Sequence, residues 1–436
     1  MQVDIVPSPR VKTIQRHTLI LLVICVSIST IDRATLAVAN PLVRQDLGLS
    51  VPEMGLLLSA FLWAYAVAQL PVGPLIDRFG PRRVLAAGIT VWSAAQILCG
   101  MATGIMQFAG ARTLLGIGEA PQFPCAASAT RDWFSAGDRG RATGWFICAS
   151  YLGTGLAAPL VTGLMLTFGW RWMFVMMGVP GLIVAAIWAG KYRGSREVAL
   201  NEQERAYLVM QENAASCARQ ISFHEWASLF RSLTTWGMLT GYFGVIYVYW
   251  LFNAWLPGYL HIQRHMSLVQ VGWMAAIPYA CAVGGAIAAG YLVDWLAKRG
   301  ASLTRSHKVP ACVFLVVQTL LVICAVLTTS NPIAVMCLSA AMFCGTAAIA
   351  IAWAMVSVFA PSSCTGSLSS LQNFGGYVGG ACAPIVTGFI VQQTGSFNVA
   401  LYLGAAMSLL AAAASLVLVR GRIDLAEDEA IPAPAN

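Results

Sequence analysis

Twelve runs of about twenty apolar residues, joined by short polar connections, leave this chain few ways to fold. A helix of that length spans the hydrocarbon of a bilayer. Inside lipid a helix satisfies its own backbone hydrogen bonds, whereas an open strand leaves a row of them unmet. The runs are 17–39, 54–76, 83–103, 105–129, 141–167, 171–190, 234–260, 269–293, 309–328, 331–358, 364–392 and 397–420. With 58% hydrophobic and only 10% charged residues, the chain lies outside the range of soluble domains. The expectation is an all-α integral membrane protein of twelve transmembrane helices.

The net charge of +8 could suggest nucleic acid, but the basic residues form no patch. They sort by helix end. Residues 10, 12, 16, 78, 82, 83, 131, 139, 141, 191, 193, 196, 205, 219, 231, 298, 299, 305, 308, 420 and 422 fall on one side, and only Arg44, Arg171 and Arg264 on the other. The positive-inside rule makes the first side cytoplasmic, so both termini face the cytoplasm of a cell membrane and the number of spans is even. Reading residues 10–39 as a signal peptide fails: the apolar stretch is too long, and Asp32-Arg33 interrupts it where a cleavage signal stays uncharged. The acidic, Pro- and Ala-rich tail from Asp424 to Asn436 reads as a disordered end.

Nearly all of the twelve cysteines lie in apolar spans, without a CxxC pair or zinc spacing, and the five histidines sit in loops or at span ends. No metal, cofactor or phosphate loop is implied. Gly116-Ile-Gly118-Glu119-Ala-Pro121 lacks the third glycine of a dinucleotide site and follows no strand. An enzyme is therefore not expected.

The chain is a duplication. Gly73-Pro-Leu-Ile-Asp77 returns as Gly290-Tyr-Leu-Val-Asp294 at an offset of 217, and Ala158-Pro-Leu-Val-Thr-Gly163 returns as Ala383-Pro-Ile-Val-Thr-Gly388 at 225. Two repeats at nearly equal offsets imply two six-helix bundles, 17–190 and 234–420. A cytoplasmic segment (1–16), a central loop (191–233) with helical charge patterning around Asn201 to Glu212, and a tail (421–436) complete the chain. Six helices per half give parallel repeats, an arrangement of transporters with a midplane site between rocking halves.

Four charges lie at membrane depth: Asp32, Arg33, Arg112 and Glu119. Each costs roughly 2.5–3.5 kcal/mol at a helix centre, so four cost on the order of 10–14 kcal/mol before pairing. Arg112 and Glu119 are two turns apart on one helix face, separated by about 10 Å. One reading is a charge network that locks helices together. The functional reading is that Arg112, charged at any pH, binds a substrate carboxylate while Glu119 titrates beside it. Asp32 and Arg33 diverge by about 100° around their helix and face different partners.

The stretch Gly73-Pro-Leu-Ile-Asp77-Arg78-Phe-Gly80-Pro-Arg82-Arg83 resembles the loop signature of the major facilitator superfamily. Asp32-Arg33-Ala-Thr-Leu-Ala-Val-Ala39 and Arg112-Thr-Leu-Leu-Gly-Ile-Gly-Glu119-Ala-Pro121-Gln-Phe-Pro124 resemble the first and fourth helices of its anion:cation symporter family. Bacterial members of that family take up sugar acids and other organic acids with protons, and animal relatives carry organic anions such as glutamate and sialic acid. The resemblance implies the major facilitator fold and a monomer working by alternating access on an organic anion and protons. It also implies Asp32 and Glu119 as proton sites and Arg33 and Arg112 as substrate-binding cations. Tyr65, Gln69, Tyr242, Trp353 and Asn373 match positions lining the substrate cavity. Asp77, Arg78, Arg82 and Asp294 would gate by latching the halves on the cytoplasmic side. An alternative for Arg33 is that it only holds Asp32 or Glu119 ionised until protons arrive.

The chain departs from the sugar-acid pattern at Thr30, where many members have Tyr, at Tyr242, which can be Gln, and at Ala350 and Ala352, where hydroxyl residues can stand. Fewer polar partners suit a less hydroxylated ligand, because each unmet substrate hydroxyl carries a desolvation cost. Tyr242, Tyr247, Tyr249 and Trp250 on the seventh helix would suit an aromatic acid. The frequency of sugar acids in the family favours a hexonate, hexuronate or aldarate. Gly153, Gly155, Pro159 and Gly163 loosely match an antiporter motif, leaving anion antiport as the rival, with a non-transporting sensor as a third reading.

Overall fold

The computed structural model describes residues 8–134, 136–201, 204, 227–360 and 365–423. The helical patterning expected around Asn201 to Glu212, and the tail from Asp424, lie almost wholly outside these residues. Among them every regular element is helical, with no strand. Among the described residues nine helices are individually long and apolar enough to cross a membrane. Among the described residues each of the twelve expected spans is helical over most of its length.

Helix α1, Pro9–Leu47, runs well past the apolar stretch at both ends because its caps lie outside it. The Ser8 hydroxyl accepts from the Val11 N–H, Pro9 opens the helix, and Gly48, in the left-handed conformation, donates back to the Arg44 carbonyl. A capping box of Ser50 and Glu53 starts the run Val51–Met101. That run is two helices, α2 (51–79) and α3 (81–101), separated by Gly80 at φ 75°, a conformation L residues rarely adopt. Gly169, at φ 81°, likewise divides Ala136–Lys191 into α5 (136–168) and α6 (170–191).

Helix α4 departs from the single span expected over 105–129. It is two pieces, Ile105–Glu119 and Gln122–Trp133, with the break at Ala120-Pro121. Pro121 has no N–H for the Ile117 carbonyl and its ring crowds that carbonyl, so the ladder stops directly after Glu119. In the second half, α7 is Leu233–Gly258 with a wide turn at Tyr259–Gln263, and α8 is Leu268–Met274 followed by Ala276–Lys298. Then come α9 Leu303–Leu327, α10 Asn331–Phe359, α11 Thr365–Thr394 and α12 Asn398–Leu418.

The contacts group into two compact units. The first holds the described residues of Met1–Cys217 together with Asn253–Ala280 and Pro384–Gly395, and the second holds the rest. In the first unit the end of α11 lies on the start of α2, where a Cβ on Gly55 would come 2.6 Å from the Pro384 carbonyl oxygen. The Trp255 indole of α7 donates to that same oxygen at 3.1 Å, and Gly272 of α8 packs on Thr162 of α5. In the second unit Gln318 of α9 accepts from Ser408 of α12 at 2.9 Å, and Thr319 of α9 donates to the Ala405 carbonyl at 3.2 Å, tying the two helices together.

Candidate functional site

Four helices of the first unit supply the charged site. Helix α1 brings Asp32 and Arg33, α4 brings Arg112 and Glu119, and α2 brings Phe61 and Tyr65, one turn apart on one face. Helix α3 closes the group with Gln96 and Cys99.

The centre is an ion pair between helices. Arg33 Nε donates to Glu119 Oε2 at 2.5 Å, with the arginine side chain 18% exposed and the carboxylate fully enclosed. The Arg33 guanidinium also lies over the rings of Tyr65, at 5.2 Å, and Phe61, at 5.5 Å. Arg112 lies over the same Phe61 ring at 5.4 Å. A desolvated cation–ring contact is worth about 2 kcal/mol, so Phe61 helps to hold both arginines in one site.

Arg112 shares a helix with Glu119 but makes no ion pair with it; Arg33 takes the carboxylate. At 2% exposure Arg112 is enclosed beneath Phe61, and its Nε and Nη1 have no hydrogen-bond partner among the described residues. Asp32, fully buried, likewise has neither carboxylate oxygen hydrogen-bonded. Asp32 and Arg112 interact electrostatically with one another and with Glu119. Beside them the Gln96 amide donates to Thr35 Oγ1 at 3.0 Å, and that hydroxyl donates to the Asp32 backbone carbonyl at 2.6 Å. Cys99 is buried and interacts electrostatically with the same two charges.

Tyr65 is therefore in the site, and Gln69 lies one turn further along α2, half-buried. The second unit brings Tyr242 and Trp353 together edge to face, ring centroids 6.0 Å apart, with Tyr242 buried and Trp353 exposed. Asn373 is half-buried on α11 beside Gln372, whose amide donates to the Ala352 carbonyl next to Trp353.

Of the expected gating residues, Arg82 is engaged inside its own unit. Its Nε and Nη2 donate to the Ala189 carbonyl at the end of α6, at 2.9 and 2.6 Å, and its Nη1 reaches Glu197 at 3.2 Å. Arg78 is exposed and lies over Phe79, Asp294 is exposed, and the Asp77 side chain is outside the description.

Phe61, Thr35, Gln96 and Cys99 complete the site and were not singled out from the sequence. Gln96 carried a signal: an amide in the middle of the third apolar run is nearly as anomalous there as a charge. Phe61 carried none, being one aromatic among many. Among the described residues no cluster of His, Cys, Asp and Glu could hold a metal.

A membrane-embedded all-helical protein with balanced charges buried at mid-span is built as a transporter rather than an enzyme. The sequence model of the Major Facilitator Superfamily matches residues 22–384, and the chain belongs to that superfamily. It is 40% identical to the probable L-galactonate transporter of Escherichia coli K12 over 96% of this chain and 92% of that one. It is 34% identical to the probable galactarate/D-glucarate transporter of Bacillus subtilis, covering 95% and 94%, and 32% identical to the D-galactonate transporter of Escherichia coli O6:H1, covering 92% and 95%. Its fold matches the crystal structure of a bacterial homologue of the human lysosomal transporter Spinster, inward-facing and unoccupied. The TM-score is 0.74 at 19% identity, over 93% of this chain and 95% of that one. The resemblance read from the first and fourth helices points to the same group of relatives.

Proposed function

We propose that this protein takes up a sugar-acid anion of the hexonate or aldarate class together with protons, by alternating access, as a monomer in the cell membrane with both termini cytoplasmic. The buried Arg33–Glu119 pair carries the reading. Asp32, Glu119, Arg33 and Arg112 sum to zero formal charge in a site where an unbalanced charge is costly. A monoanion can therefore join only with one positive charge, and a dianion with two. The site offers two carboxylates to take them as protons.

The order follows from the geometry. A proton on Glu119 removes the negative partner of Arg33, which is the more exposed of the two arginines and already braced on Tyr65 and Phe61. Arg33 then takes the substrate carboxylate, ideally through two parallel hydrogen bonds. Arg112, enclosed beneath Phe61, serves as the fixed counter-charge of Asp32. Of the two arginines expected to bind substrate, this assigns the contact to Arg33. The kinship with galactonate and glucarate transporters supports the sugar-acid class. An aromatic carboxylate is the second reading, supported by the Tyr242–Trp353 pair.

The test uses purified protein in liposomes loaded with a pH-sensitive dye and challenged with L-galactonate, D-galactonate, glucarate and phthalate. Internal acidification with a sugar acid, absent in Arg33→Ala, is expected. Acidification with phthalate alone would favour the second reading. Silence with every acid, combined with labelled uptake driven by preloaded anion, would make the protein an exchanger and overturn symport.

A further inference from the structure

Outside the charged site, α2, α3 and the break in α4 enclose a groove of about 390 Å³ on the lipid-facing side of the first unit. Leu75, Phe79, Val91 and Ile117, all exposed, form its walls, and Gly118 and Pro121 lie along it. A protein in a bilayer covers such a groove with lipid, so the question is whether the lipid is selected. Two features say that it is.

The first is charge. Among the described residues Arg83 is the one charged residue lining the groove, and it stands at the arginine-rich ends of the helices. Its neighbour Arg82 is consumed by Ala189 and Glu197, whereas Arg83 is exposed and has no hydrogen bond or ion pair among the described residues. A second exposed arginine, Arg78, lies over the ring of Phe79, itself a wall of the groove. Among the described residues no acidic side chain lines the groove to receive the ammonium of a zwitterionic headgroup.

The second is length. Arg83 and Val91 are eight residues apart on α3, about 12 Å. The hydrocarbon of one leaflet is about 15 Å deep, half the usual core. An acyl chain whose phosphate rests on Arg83 would therefore run down the groove almost to the midplane. Its end would meet Gly118 and Pro121, the residues that flank Glu119 in sequence at the break of α4. With no polar group beyond Arg83, the groove offers nothing to a sugar hydroxyl.

We infer that this groove is a binding site for one acyl chain of an anionic phospholipid whose phosphate is held by Arg83. Native mass spectrometry of the full chain in detergent, titrated with phosphatidylglycerol or phosphatidylcholine of identical chains, tests it. The wild type is expected to retain phosphatidylglycerol about fivefold more than phosphatidylcholine, the ratio for one arginine worth about 1 kcal/mol at a membrane surface. Arg83→Gln should bring the ratio to about one. Val91→Trp, which fills the groove and leaves Arg83 in place, should lower retention of both lipids. A preference that survives Arg83→Gln, retention unchanged by Val91→Trp, or displacement of the bound lipid by inorganic phosphate would each overturn the assignment.

Discussion

Replacing Arg33 by alanine removes one side of an enclosed ion pair and leaves Glu119 with its charge inside the protein. Removing one partner of a buried pair costs about 3–5 kcal/mol. The 18% exposure of Arg33 gives water little room to compensate, and its contacts with Tyr65 and Phe61 are lost as well. Glu119→Gln keeps the shape and leaves Arg33 on its two rings, so its cost is lower, about 1–3 kcal/mol. In the double variant no uncompensated carboxylate remains. The cycle should then show a favourable coupling of about 2–3 kcal/mol, near the upper end for residues in direct contact. Unfolding in mixed micelles measures this coupling, and labelled-galactonate counterflow measures transport. If Arg33 holds the substrate carboxylate, the double variant regains stability but not uptake. Recovery of both would show that the pair only locks α1 to α4, and would refute Arg33 as the substrate cation.

Three further outcomes follow from the same geometry. Glu119→Gln should retain anion counterflow but lose accumulation driven by a proton gradient, and its uptake rate should no longer rise as the outer solution is acidified; proteoliposome uptake over a pH series reads both. Gln96→Leu loses the hydrogen bond to Thr35 but also a buried amide oxygen that has no partner, so it should cost no more than about 1 kcal/mol in unfolding measurements, while freeing the Thr35 hydroxyl from α3 and weakening substrate binding. At the arginine-rich end, hydrogen bonds from Ser8 and from the Asn201 N–H hold the Glu204 carboxyl below the usual carboxylate range. The tether between Ser8 and the central segment should therefore hold at neutral pH and release as pH falls through that lowered value, and Ser8→Ala should raise the Glu204 midpoint followed by NMR.

The existence of the charged site could be read from the sequence, but its wiring could not. Asp32, Arg33, Arg112 and Glu119 stand out because each is costly at membrane depth. Helical periodicity relates only residues on one helix, so it places Arg112 and Glu119 on one face about 10 Å apart and leaves the partner of Arg33 open between Asp32, Glu119 and the substrate. The partner of Glu119 comes from α1, and nothing along a single chain records how one helix is rotated against another. The break of α4 was nearer to hand, since Pro121 lies inside the fourth apolar run and its missing N–H is a local property. Helix ends followed the same division. Apolar length placed the middles of the spans, whereas α1 extends to Pro9 and Leu47 because Ser8 and Gly48 cap it beyond the lipid.

Helix α2 joins the charged site to the end of the first unit where α11 lies against it. Phe61 and Tyr65 touch Arg33, and Gly55, six residues before Phe61 and so about 9 Å along the axis, packs against the backbone at Pro384. A Cβ at position 55 would come 2.6 Å from the Pro384 oxygen and 3.4 Å from the Ile385 Cα, so any larger residue must push α11 away. Thr387, one turn beyond Pro384, is fully buried, and its hydroxyl has no hydrogen-bond partner among the described residues, so its burial rests on packing alone. Gly55→Val should therefore expose it. In a Thr387→Cys background, a membrane-impermeant thiol reagent should label the cysteine faster once Gly55 is valine, and counterflow should fall because this end can no longer close. Continued protection of the cysteine with counterflow intact would show that the contact of α2 with α11 is incidental to transport.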